Sequence, residues 1–143
     1  MSRFAVHPKI AETTAVIGDL PLSRVLLANE RRYPWLMLLP RTEIDEICDL
    51  PEADQMQLIR ESAAASRAIR TLFQPDKLNI GALGNMVRQM HYHVVGRWTS
   101  DPSWPGPVWG KPLDHPYAPD DLERDVLRFR QALAGAGLKD PSV

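Results

Sequence analysis

The segment from Arg88 to Arg97 restricts the possible folds more than any other part of this 143-residue chain. Its side chains alternate in character, and residues two apart on a β-strand share a face, so the segment is predicted to be a strand. One predicted face carries the polar residues Gln89, His91 and His93. The other face is apolar enough to pack on a helix. Burying two imidazoles and an amide is costly without partners, so this polar row is a candidate site.

Shorter apolar runs predict the rest of the sheet. The runs 24–28 and 35–39 are joined by a polar turn, which predicts an antiparallel pair. Residues 77–82 alternate as well, and a turn at Gly84 and Asn85 separates them from the 88–97 strand. Residues 1–20 form a lead-in with a short helix near 9–14.

Two longer helices are predicted from apolar spacings of three and four residues. The first covers 50–73, with Asp49 and Glu52 as its cap and Pro51 in its first turn. Its apolar face is predicted to consist of Met56, Ile59, Ala63, Ile69, Leu72 and Phe73. The second runs from about 119 to 134, with an apolar face formed by Leu122, Val126, Phe129 and Leu133. The order β-β-α-β-β-α predicts an α+β fold with a mostly antiparallel sheet.

Composition narrows the class of protein. The chain has 17 Lys and Arg residues and 18 Asp and Glu residues. Because it has no surplus of basic residues, we expect no nucleic-acid partner. The longest apolar run, 35–39, is far below the roughly 20 residues of a membrane span. The N-terminus has no secretory pattern, and the single cysteine, Cys48, fits a reducing compartment, so we expect a cytoplasmic location. We expect one domain over 1–143, with an irregular segment rich in proline and tryptophan over 98–118.

The chemistry of the polar row favours a phosphate. A neutral imidazole can attack phosphorus, and a neighbouring protonated imidazole can stabilise charge on phosphate oxygens. The loop before the predicted strand, from Gly84 through Asn85 and Met86, can direct main-chain N–H groups at the same anion.

This pattern resembles the histidine triad (HIT) superfamily of nucleotide hydrolases and transferases. Members carry His-φ-His-φ-His-φ-φ, where φ is apolar, and the matching run is Gln89 to Val95. The resemblance covers roughly residues 20–100. It implies an α+β domain with about five antiparallel strands, a long helix and a C-terminal helix. It also implies a homodimer, a nucleotide substrate and no metal or other cofactor.

The resemblance assigns roles to individual residues. His91 matches the histidine that attacks the α-phosphorus, and His93 matches the one that contacts the phosphate. Asn29 stands where members bind the ribose hydroxyls, and Asn79 resembles a residue that reaches phosphate or leaving group. Gly84, Asn85 and Met86 match the phosphate loop, although Gln is usual at the second position and a small hydroxyl residue frequent at the third.

The departure from the family pattern is Gln89, which replaces the first histidine. A glutamine amide can donate a hydrogen bond but cannot transfer a proton near neutral pH, and such help is typically worth about 10²–10⁴-fold in rate. Our hypothesis is that Gln89 orients a scissile oxygen. Catalysis is then reduced or limited to good leaving groups such as phosphates.

Several other interpretations stay open. The chain can be a nucleotide-binding module with little turnover. The His91–His93 pair can be part of a metal site, or simply a hydrogen-bonded pair on an exposed sheet. Arg88 and Arg97 are expected to be solvated strand ends, and Cys48 a small buried residue. The tryptophans between 98 and 109 are candidates for a core or a dimer interface.

Overall fold

A five-stranded antiparallel sheet forms the centre of the structure, a computed structural model that describes residues 3–142. The strands are β1 (Thr14–Asp19), β2 (Ser23–Ala28), β3 (Trp35–Pro40), β4 (Lys77–Gly81) and β5 (Tyr92–Arg97). Their order is β1-β2-β3-β5-β4, and every neighbouring pair is antiparallel. The predicted α+β class and strand number are confirmed. Strand β1 lies in the lead-in, where no strand was predicted.

Helices α1 (Pro8–Ala11), α2 (Glu52–Phe73) and α3 (Pro119–Leu133) complete the regular structure, with short 3₁₀ turns at Ile47–Asp49 and Ala134–Ala136. The predicted cap of the long helix is wrong. Pro51 is the N-cap residue of α2, and no side chain bonds to the helix start there. Residues 98–118 contain neither helix nor strand.

The predicted apolar face of α2 is wrong in its first half. Met56 is 50% exposed and Ile59 60% exposed, whereas the buried side includes Glu61 and Ser62. Glu61 accepts hydrogen bonds from the main-chain N–H groups of residues 22 and 23, at 2.7 and 3.0 Å. Glu61, a polar residue with hydrogen-bond partners, therefore lies on the buried side of α2. The apolar periodicity predicted the wrong face of the helix to be buried.

The two faces of the sheet are covered differently. Helices α2 and α3 pack on one face, over a core that includes Leu36, Ile69 and Phe129. The opposite face carries Trp35, Met37 and Val95, and it is covered by the N-terminal segment and by residues of the 98–118 segment: Phe4, Val6, Ile10, Val108, Trp109 and Leu113. The second cover places two chain segments directly against the face that holds His93.

The strand predicted over 88–97 begins only at Tyr92. Gln89 and His91 precede it, so the alternation does not set the direction of Gln89. Met90 is buried, and the Gln89 side chain bonds to the N-terminal segment instead. The predicted row of three polar side chains on one strand is therefore corrected to two histidines, with Gln89 turned away.

Two further expectations are corrected. Cys48 is exposed rather than buried. Arg97 is 0% exposed rather than solvated, because Asp101 forms an ion pair with it at 2.8 Å. Arg88 is exposed, as expected, and pairs with Asp45 at 3.1 Å. None of the helices in residues 3–142 has the length and apolar character required to cross a membrane.

Candidate active site

His91 is oriented by a main-chain hydrogen bond. Its Nδ1 lies 2.6 Å from the carbonyl oxygen of Gln89. A carbonyl oxygen only accepts hydrogen bonds, so Nδ1 carries the ring proton and Nε2 carries the lone pair. His91 is half-buried and lines a cavity of about 580 Å³. The residue therefore has the tautomer that a nucleophilic histidine requires.

His93 has the opposite tautomer. The indole N–H of Trp35 donates to Nδ1 of His93 at 3.0 Å. Because that nitrogen accepts, the proton of neutral His93 resides on Nε2. His93 is 5% exposed and does not line the cavity at His91. Its ring thus carries an N–H donor on Nε2.

His93 is uncharged near pH 7. It is 5% exposed, and burial, with a smaller contribution from the neighbouring imidazole of His91, lowers its pKa to about 4. The two rings meet edge to face, with centroids 5.1 Å apart. The expectation that a protonated imidazole stabilises the phosphate is therefore replaced by a neutral N–H donor.

Two tryptophans hold His93, and the sequence analysis gave neither a role in the site. Trp35 contacts the ring at its edge, with centroids 5.6 Å apart, besides donating its hydrogen bond. Trp109, from the segment 98–118, stacks on His93 with centroids 5.7 Å apart. The sequence signal for Trp35 was its place at the start of a strand beside the His93 strand; no signal indicated Trp109.

The predicted phosphate loop lies beside His91. Gly84 and Asn85 line the same cavity as His91, together with Cys48 and residues 45–47. Gly84 has φ of +69°, a left-handed conformation that glycine adopts without strain. Met86 is 89% exposed and does not line the cavity. The structure therefore brings two of the three predicted loop residues to the cavity at His91.

Gln89 contributes its main chain to the site, while its side chain faces elsewhere. The amide oxygen accepts from the N–H of His7 at 2.8 Å, and the amide nitrogen donates to the carbonyl of Ala5 at 2.8 Å. An amide held at both ends by main-chain groups has only one N–H left for another partner.

The two asparagines assigned by resemblance have structural partners. Asn29 accepts from the main-chain N–H of Tyr117 at 2.9 Å, and so ties the 98–118 segment to the end of β2. Asn79 accepts from the buried guanidinium of Arg97 at 2.8 Å. Neither residue lines the cavity at His91.

The described residues place no group of further metal ligands beside His91 and His93. Among the described residues, the one group of side chains with metal-ligand spacing consists of Glu30, Asp114 and His115. This group contains neither His91 nor His93. The guanidinium of Arg32 already pairs with Glu30 at 2.7 Å and lies 3.6 Å from Asp114. A cation there would have to displace the arginine.

Comparison with known proteins identifies the family. The HIT domain family matches residues 10–100, and the chain therefore belongs to the HIT family, a family of nucleotide-binding proteins that includes hydrolases and transferases. The crystal structure of a histidine triad protein from Marinobacter aquaeolei VT8 is 40% identical with a TM-score of 0.89, and covers 94% of this chain and 99% of its own. A histidine triad protein from Bradyrhizobium japonicum is 42% identical with a TM-score of 0.85, over 90% and 97%.

A curated relative carries a more specific name. An AP-4-A phosphorylase from Mycobacterium tuberculosis is 29% identical over 108 residues, which are 68% of this chain and 54% of that protein. The chain thus spans about half the length of that relative.

Proposed function

We propose that the protein hydrolyses or transfers at the α-phosphate of a nucleotide conjugate, of the dinucleoside polyphosphate or nucleoside phosphoramidate type. The observation that carries the proposal is the pair of opposite tautomers at the end of β5. His91 offers a lone pair on Nε2, and His93 offers an N–H on Nε2. A nucleophile beside a neutral donor is the combination that attack on a phosphate diester or anhydride needs.

The reaction is expected to proceed in two steps. The lone pair of His91 Nε2 forms a bond to the α-phosphorus, and the bond from phosphorus to the leaving group breaks with its electron pair departing. The imidazole becomes positively charged, and the Gln89 carbonyl stabilises that charge through the Nδ1–H bond. Water then forms a bond to phosphorus, the N–P bond breaks, and the water proton passes to solvent.

The role of His93 follows from its neutrality. Its Nε2–H donates to a phosphate oxygen in both the ground state and the transition state, and the hydrogen bond strengthens as charge accumulates on that oxygen. The main-chain N–H groups of Gly84 and Asn85, which line the cavity at His91, would add further donors. Asn29 and Asn79 each accept a hydrogen bond from the protein on Oδ1, so a ligand would be held by their amide N–H groups.

The nature of residue 89 favours good leaving groups. The Gln89 amide cannot protonate a departing oxygen, so the leaving group has to depart as a stable anion or take its proton from solvent. Polyphosphates meet this requirement. The name of the mycobacterial relative, an AP-4-A phosphorylase, supports a dinucleoside polyphosphate substrate.

The test is to trap the covalent intermediate. The protein is incubated with a labelled adenylyl donor, quenched in base because phosphoramidates are labile in acid, and the modified peptide is located by mass spectrometry. We expect an adenylyl group on His91, with His91→Gly losing the adduct and at least about 10³-fold in turnover. His115→Gln is the matched control, since His115 does not line the cavity at His91. An adduct on another residue, or full turnover by His91→Gly, would contradict the proposal.

A second candidate is a nucleotide-binding module with little turnover. It is favoured by one observation, the engagement of the Gln89 amide with Ala5 and His7 rather than with the nucleophile. Tight binding of AMP without adduct or turnover, across phosphate and amine leaving groups, would select this candidate.

We further propose that two copies of the chain form a homodimer, as the family resemblance implies. Sedimentation velocity over a range of concentrations tests this. A monomer at all concentrations would contradict it.

A further inference from the structure

The N-terminal segment is fastened to the site by one side chain. Gln89 accepts from the N–H of His7 and donates to the carbonyl of Ala5, both at 2.8 Å, across more than 80 residues of sequence. Both groups belong to the main chain, so the bonds do not depend on the side chains at 5 and 7. The next residue of the segment, Pro8, begins α1, whose Ile10 packs on the sheet face that holds His93.

Glutamine is suited to this position because one planar group supplies an acceptor and a donor side by side. A histidine has its donor and acceptor on different sides of the ring, and a carboxylate has no donor. Replacement of the first triad histidine by Gln89 therefore changes what residue 89 can hold, besides removing an acid.

The fastened segment forms one wall of a second cavity. This cavity, of about 420 Å³, is lined by Gln89, by Arg3, Phe4 and Ala5, and on the other side by residues 41–45. Asp45 lines both this cavity and the cavity at His91.

The lining indicates which part of a ligand fits. Two arginines and two carboxylates line the cavity, and Arg41 is already bonded to the carbonyls of Leu20 and Pro21, both at 2.9 Å. The charges balance, which does not favour a chain of phosphates. The Phe4 ring, whose centroid lies 5.3 Å from the Arg24 guanidinium, and the polar lining suit an uncharged aromatic group with hydrogen-bonding atoms, such as a nucleobase.

We propose that Gln89 is a positioning residue: it holds the N-terminal segment in place as the wall of a subsite for the group beyond the reacting phosphate. This deepens the proposed function and rests on it. Under this proposal Gln89 sets the affinity for substrates that carry a second aromatic group, and it does not act on the leaving group.

The test uses Gln89→Met, which keeps the length of the side chain and removes both hydrogen bonds. Amide exchange at His7 is measured by NMR in the free protein, and kcat and KM are measured for diadenosine tetraphosphate and for adenosine phosphoramidate. We expect exchange at His7 to accelerate about tenfold or more. We expect the KM for diadenosine tetraphosphate to rise about tenfold, with its kcat and both constants for the phosphoramidate within about twofold. Gln131→Met, at an exposed position of α3, is the matched control.

A lower kcat for both substrates with unchanged KM would overturn the proposal, because it would mean that Gln89 acts in the chemical step. Unchanged exchange at His7 would overturn it as well. Gln89→His provides a further contrast: it should raise KM as Gln89→Met does, and a rise in kcat instead would restore the leaving-group role.

Failure of the proposed function is separately visible. If the wild-type protein turns over neither substrate, dissociation constants for diadenosine tetraphosphate and AMP replace KM. A selective loss of affinity for the larger ligand in Gln89→Met then still supports the subsite. Equal affinities in wild type and variant, or no nucleotide binding by the wild type, reject it.

Discussion

The polar side chains at the two ends of strand β5 differ in which of their hydrogen-bonding atoms bond within the protein. His93 and Arg97 lie on the same face of the strand, four residues apart, and both are buried. At the first end, the hydrogen bonds of both histidines within residues 3–142 are made by Nδ1. At the other end, Arg97 bonds to both carboxylate oxygens of Asp101 and to Asn79, and its guanidinium lies 5.6 and 5.7 Å from the ring centroids of Tyr33 and Trp104.

This difference indicates that the histidine end is suited to binding a ligand, whereas the Arg97 end anchors the 98–118 segment. A buried charge whose donors are used within the protein fixes the 98–118 segment to the sheet, and it has little capacity left for a ligand. Burial alone would raise the pKa of Asp101, but hydrogen bonds from Arg97 and from the main chain of Trp98 hold that pKa below its usual range. At the histidine end, the neutral rings differ in which nitrogen carries the proton. Variants at the Arg97 end should therefore alter stability, and variants at the histidine end should alter chemistry.

The largest expected stability effect is at the Arg97 end. Arg97→Met leaves the buried carboxylate of Asp101 without its cation, and loss of one partner of a buried pair costs about 3–5 kcal/mol. Urea unfolding measures the change. Arg88→Met is the control, since Arg88 and Asp45 form an exposed pair and its loss should cost less than about 1 kcal/mol. Equal changes in the free energy of unfolding for the two variants would contradict the structural role of the Arg97 end.

The pH dependence of stability tests the neutrality of His93. Its pKa is about 4 in the folded chain and near 6.5 when unfolded, so between these values only the unfolded chain binds the proton. Stability should therefore fall as the pH decreases, by about 2 kcal/mol from pH 7 to pH 5. Urea unfolding of wild type and His93→Asn at both pH values isolates this contribution. The same pH dependence in both proteins would show that His93 is not the group responsible.

Asn79 decides whether the second strand end also takes part in binding. Asn79→Ala removes an acceptor of the buried guanidinium, which should cost about 1.5 kcal/mol of stability. If Asn79 instead contacts a ligand, as the family resemblance implies, the nucleotide dissociation constant should rise. We expect the change in unfolding free energy with an unchanged dissociation constant; the reverse pattern would assign Asn79 to the site.

A variant of Trp35 tests whether its hydrogen bond sets the tautomer of His93. Trp35→Phe keeps a ring against His93 and removes the donor to Nδ1, which should cost about 1 kcal/mol of stability. His93 can then present a lone pair rather than an N–H to the phosphate, so kcat should fall by up to about 10²-fold. Steady-state kinetics beside urea unfolding measures both. Loss of stability without loss of kcat would reduce Trp35 to a packing residue.

The sequence predicted the sheet better than the surroundings of His91 and His93. Apolar runs are a local signal, so the pair β2–β3, the strand β4 and the helix α3 were found within a few residues. His91 lies beside Gly84 and Asn85, which the family resemblance assigns to a phosphate loop. The burial of Arg97 was missed because it depends on Asp101 and Trp104, which belong to a segment without periodicity.

The side-chain direction of Gln89 was missed for a related reason. Strand alternation predicts a face only where a strand exists, and the main chain of Gln89 lies outside β5. Its partners, Ala5 and His7, are main-chain groups more than 80 residues away, which no pattern of side chains reveals. Trp109 reaches His93 from the irregular segment in the same way.

The most direct test of the central claim, that His91 and His93 are held in opposite tautomers, is a long-range ¹⁵N–¹H correlation spectrum of the two imidazoles in the free protein at pH 7. The account predicts a protonated Nδ1 and a bare Nε2 on His91, and a bare Nδ1 and a protonated Nε2 on His93. The same tautomer on both rings, or a doubly protonated His93, would contradict it.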